Sequence, residues 1–63
     1  MTKLEKLYQN MADALEQGMT DLEKFEAGNM SAGTRVRKTM QTTKELAQKI
    51  RVTVQEQKNA VAA

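Results

Sequence analysis

Apolar residues recur along this chain at alternating steps of four and three, the spacing that keeps side chains on one face of an α-helix. In the first half they are Leu4, Tyr8, Met11, Leu15, Gly18, Leu22 and Phe25, with glycine holding one place in the series. The second half repeats the rhythm with Gly33, Val36, Met40, Thr43, Ala47, Ile50 and Val54. Local signals bound the two segments. Thr2 and Glu5 have the spacing of a capping box, and Gly28 is suited to the left-handed conformation in which helices stop. Asn29 is the candidate N-cap of the second segment, with Ser31 as the fallback. The pattern predicts an all-α chain with helices over 3–27 and 30–59 and a frayed tail at 60–63. So short a connection forces an antiparallel two-helix hairpin.

Folding the chain at residue 29 sets each seam position opposite one whose number brings the sum to 58. Phe25 then meets Gly33, Met40 meets Gly18 and Met11 meets Ala47, large opposite small, as even packing requires. Gly33 has a second possible use: in the first turn of the second helix, it lets backbone approach a phosphate. Leu7, Ala14 and Leu46 fall together on a flank outside this seam, while Met19 and Val52 lie elsewhere. Two helices cannot shield so wide a stripe. The flank therefore predicts a docked second hairpin, a two-fold homodimer forming a four-helix bundle.

Composition narrows the function classes. A chain of 63 residues is expected to be one domain, 1–63, and one this short needs a staple beyond its own core. It has no cysteine and no histidine, which removes disulfides and the usual zinc ligands and leaves association as the staple. No nucleophile–base pair or oxygen-ligand loop sits at a diagnostic spacing, so neither catalysis, a metal, a cofactor nor a small-molecule substrate is expected. No apolar run reads as a signal peptide or a membrane span, and the expected location is the cytoplasm.

Charge is divided unevenly. Residues 1–29 hold three bases against six acids, a net of −3, and residues 30–63 hold seven against two, a net of +5. In the second helix Arg37, Gln41, Lys44, Gln48, Arg51, Gln55 and Lys58 recur at steps of four and three and form one stripe, about 32 Å long at 1.5 Å per residue. Arg35, Lys38 and Lys49 thicken it. Cations spaced along a rod suit a polyanion such as duplex DNA, because neutralised phosphates release counterions. The plainer alternative is a solvated face with cross-hairpin ion pairs, Glu26 with Arg37 and Glu5 with Lys58. Against that, Lys44 and Arg51 flank Met19 and Ala12, which leaves mid-stripe charge unneutralised. Membrane binding fits poorly, since the opposite side of the stripe is committed to the seam.

The stretch from Phe25 to Lys38, Phe-Glu-Ala-Gly-Asn-Met-Ser-Ala-Gly-Thr-Arg-Val-Arg-Lys, resembles the small bacterial linker-histone-like proteins typified by the chlamydial histone-like protein. Leu46 to Glu56 is also similar to short members of that group, and the resemblance spans roughly residues 4–58. It implies DNA binding and nucleoid compaction with little sequence preference, and the matching positions are Gly28, Asn29, Gly33, Arg35, Arg37 and Lys38. Proteins of the chlamydial type continue into a long Lys- and Ala-rich tail not found in these 63 residues. The expectation is therefore a homo-oligomeric, nucleoid-associated hairpin that contacts the phosphate backbone through Arg35, Arg37, Lys38, Lys44, Lys49, Arg51 and Lys58. The rival is a coiled-coil adaptor whose Leu7/Leu46 flank docks on another polypeptide.

Overall fold

A computed structural model describes residues 1–62. Two antiparallel helices, α1 (Lys3–Glu26) and α2 (Met30–Ala62), account for nearly all of them, and no strand occurs among the described residues. Both termini of α1 follow local chemistry. The Thr2 hydroxyl accepts from the Glu5 backbone N–H at 3.1 Å, and the Glu5 carboxylate accepts from the Thr2 N–H at 2.9 Å, completing the capping box. At the other end Gly28 adopts φ +109°, a conformation in which a Cβ is strained. The Asn29 N–H reaches the Lys24 carbonyl and the Gly28 N–H the Phe25 carbonyl, both at 3.0 Å, which closes a Schellman turn. Asn29 then caps α2, its side-chain oxygen accepting from the Ala32 N–H at 3.3 Å and from the Ser31 hydroxyl at 2.7 Å. From that cap α2 continues through Ala62, into the stretch expected to fray.

The hairpin is antiparallel as expected, but its seam is turned on both helices. Gly18 is buried against Thr39: a Cβ on Gly18 would lie 3.1 Å from the Thr39 methyl carbon. Met40, the expected partner, is 48% exposed. The contact line runs along Leu4, Leu7, Met11, Ala14 and Gly18 of α1, and along Ala32, Val36, Thr39, Thr43, Leu46 and Ile50 of α2, each buried or half-buried. Leu7, Ala14 and Leu46, expected on an outer flank, therefore belong to the intramolecular seam. Ala14 shares a groove with Thr39 and Thr42 of the facing helix, and Leu7 one with Val52 and Thr53. Conversely Tyr8, Leu15, Leu22 and Val54, expected inside, are exposed, Tyr8 to 68%.

The displacement is about half of the 100° step between successive helical residues. Small side chains line the turned seam. Ala14, Gly18, Ala32, Thr39 and Thr43 are buried or half-buried along the seam, and Gly18 meets the Thr39 side chain there. A pair on the same side, Asp21 and Arg35, ties the helices together at 2.9 Å. The expected layer of Gly33 and Phe25 holds, with the ring 2.7 Å from where a Cβ on Gly33 would lie.

Candidate nucleic-acid interface

All seven cations singled out on the second helix are exposed in the structure. Arg37, Lys44, Arg51 and Lys58 recur at intervals of seven, which an α-helix brings to one side with a drift of about 20° per interval. Arg37 thus sits toward the back of α2, and Lys58 turns toward the hairpin, sharing a groove with Leu4 and Val54. Lys38 and Lys49 lie further round the helix. Lys38 rims the groove that holds Asp21, Arg35 and Thr39, and Lys49 rims one with Lys3 and Leu7. The structure therefore brings four of the cations into a file and sets Arg35, Lys38 and Lys49 on the adjoining side.

Pairing separates them further. Among the described residues the single ion pair is Arg35 Nε with Asp21 Oδ1, whose side chains are 47% and 22% exposed. Arg35 is thereby committed to the fold. Among the described residues the other six cations have no carboxylate within ion-pairing distance, and the pairs Glu26–Arg37 and Glu5–Lys58 do not form. Glu5 is engaged at the cap instead. The Thr2 backbone N–H, and then the Thr2 side chain, hold its carboxyl below the ordinary carboxylate value. Within the stripe Gln41 reaches toward Glu45 at 3.5 Å and Gln55 donates to Asn59 at 3.1 Å, both within one turn of α2.

Gly28 and Asn29 are accounted for by the turn itself. The space over Gly33 is filled by the Phe25 ring, so its bare Cα serves helix packing. One cation escaped the sequence reading. Lys3 belongs to the acidic half of the chain, yet it rims the groove of Lys49; the antiparallel register that brings the two together was its available signal.

The histone H1-like protein Hc1 family model matches residues 5–60. The chain belongs to that family. No curated protein and no solved structure matches it. The match covers both helices and the Gly28–Asn29 turn, so it describes the hairpin as a unit. Among the described residues no helix is long and apolar enough to cross a membrane, and no group of carboxylates is placed to hold a metal ion.

Proposed function

We propose that this family member is a non-enzymatic, nucleoid-associated protein of the cytoplasm that binds the DNA backbone with little sequence preference and organises or compacts DNA. The observation that carries the reading is the set of six exposed cations, Arg37, Lys38, Lys44, Lys49, Arg51 and Lys58, left without carboxylate partners among the described residues on one long helix. A folded chain that neutralised its own surface would place some of its eight acids beside them. Family membership gives the same direction. Lysine and arginine at helical spacing supply charge to phosphates without a fixed donor pattern for base edges, which accounts for the low sequence preference. Arg35, held by Asp21, contributes through its neighbours' placement more than as a free cation. Each protomer offers one such helix, so an oligomer is the natural compacting unit, with DNA and a second copy as its partners.

Electrophoretic mobility shift with duplex DNA at low salt tests the reading. Lys44→Glu with Arg51→Glu replaces two cations by two anions at mid-stripe and is expected to abolish binding while helicity persists. Undiminished binding by that variant would place the interface elsewhere. An adaptor for another polypeptide would show no DNA affinity at low salt in the unaltered chain.

A further inference from the structure

The α2 helix forms one long edge of a thin hairpin whose Cα extents are 53 × 19 × 11 Å. Along the outward side of that edge Gln41, Gln48 and Gln55 recur at steps of seven, all exposed, and form a polar ridge. Gln41 reaches toward Glu45 and Gln55 donates to Asn59, whereas the Gln48 amide makes no side-chain hydrogen bond among the described residues. At 100° per residue, Lys44 and Arg51 lie about 40–60° to one side of Gln48, and Lys38 and Lys49 about 80–100° to the other. The ridge therefore has two basic shoulders. The second faces the side of the hairpin that holds Asp21 and Lys3, since Lys38 rims the groove of the one and Lys49 that of the other. Between the shoulders a shallow hollow is lined by Gln41, Lys44, Glu45, Gln48 and Lys49, with no residue of α1. One continuous surface on the free edge thus joins both sets of cations. Over residues 37–51 it carries five bases against one acid, Glu45.

The dimensions of this edge identify what it fits. A lysine or arginine extends about 8 Å from the helix axis, so cations about 120–160° apart round the helix stand about 14–16 Å apart. That separation reaches both rims of the B-DNA major groove, about 12 Å wide and 8.5 Å deep, which admits an α-helix. The minor groove, about 6 Å wide, does not. An edge one helix thick lets α2 enter while α1 stays outside. A straight helix follows a curving groove over only part of its length, and residues 38–51 cover about 20 Å, roughly six base pairs.

We propose that residues 38–51 of α2 seat edge-on in the major groove of a single duplex, with Lys44 and Arg51 against one phosphate backbone and Lys38 and Lys49 against the other. This seating rests on the DNA reading proposed above, to which it adds the groove and the two-sided contact. The glutamine ridge then faces the base edges. An amide both donates and accepts, so it meets any base pair and sequence preference stays low. Glu45, between the ridge and Lys49, lies within the groove and moderates the affinity.

Fluorescence anisotropy of the full chain with two short duplexes at low salt tests the seating. One duplex is plain; in the other the cytosines carry glucosylated 5-hydroxymethyl groups, which fill the major groove and leave the phosphates and minor groove unchanged. The plain duplex should be bound, and the glucosylated one at least about tenfold more weakly. Lys38→Glu with Lys49→Glu alters two exposed cations that have no carboxylate partner among the described residues. With helicity retained, that chain should lose at least about tenfold in affinity for the plain duplex. Equal affinity for the two duplexes would overturn the seating and leave the DNA reading standing. Undiminished binding of one plain duplex by the Lys38→Glu, Lys49→Glu chain would overturn the two-sided contact; if that chain lost only the capture of a second duplex, the shoulders would serve separate duplexes. No binding of the plain duplex by the unaltered chain would overturn the DNA reading itself, and the seating with it.

Discussion

Gly33→Ala isolates the layer that closes the hairpin next to its turn. By helix propensity alone, alanine at this position should stabilise α2 by about 1 kcal/mol. The structure opposes that gain. The new methyl carbon would lie 2.7 and 2.8 Å from two carbons of the Phe25 ring, where favourable contact begins near 3.5 Å. The ring must retreat by nearly an ångström, and being 40% exposed it has room to swing outward. If the swing uncovers half of the roughly 120 Å² of ring surface now covered, the loss is about 1.5 kcal/mol, with more from the contacts given up. The two effects leave a net destabilisation of about 0.5–1.5 kcal/mol. Gly18→Ala is the internal control. Its methyl would meet the Thr39 methyl carbon at 3.1 Å, a conflict relieved by a few tenths of an ångström, so propensity and crowding nearly cancel. Urea unfolding followed by circular dichroism, at one fixed protein concentration, measures both variants. A Gly33→Ala protein stabilised by the full propensity gain would refute the seating of Phe25 over Gly33.

Three further outcomes follow from the structure. Gly28→Ala meets no atom within 4 Å, so its cost is purely that of the positive φ, about 1–2 kcal/mol, and Gly28→Asn should recover part of it in the same unfolding assay. The depressed carboxyl of Glu5 contributes helix stability that is present above its ordinary value of 4.5 and lost as pH falls through the lower folded value; Thr2→Ala should flatten that limb of an acid titration and cost about 1 kcal/mol at neutral pH. Asp21→Asn removes an ion pair whose arginine is half exposed, so unfolding should shift by no more than about 0.5 kcal/mol, and less at high salt.

Sequence reasoning reached the parts of this fold that are determined locally. Thr2 with Glu5, Gly28 and Asn29 act through backbone groups within a few residues of themselves, and each forms the hydrogen bonds its spacing implies. The face turned toward the partner helix was not legible in the same way. In α1 the files Leu7–Ala14 and Tyr8–Leu15 are adjacent and both apolar, so periodicity supports either. The choice is made across the hairpin, where Gly18 meets the Thr39 side chain and Asp21 pairs with Arg35. The same distinction holds for the candidate site. Exposure of the cations and their spacing of seven could be read directly from the chain. That Arg35 is tied to a carboxylate 14 residues earlier, while Arg37 and Lys58 are not tied to the acids expected for them, depends on the turned register.

The salt dependence of affinity for a short duplex tests the central claim most directly. If Arg37, Lys44, Arg51 and Lys58 each displace one counterion, the logarithm of the binding constant should fall against the logarithm of salt concentration with a slope of about −3 to −4 per protomer. A slope near zero, with affinity retained at high salt, would contradict an account in which an unneutralised file of cations on α2 binds phosphate.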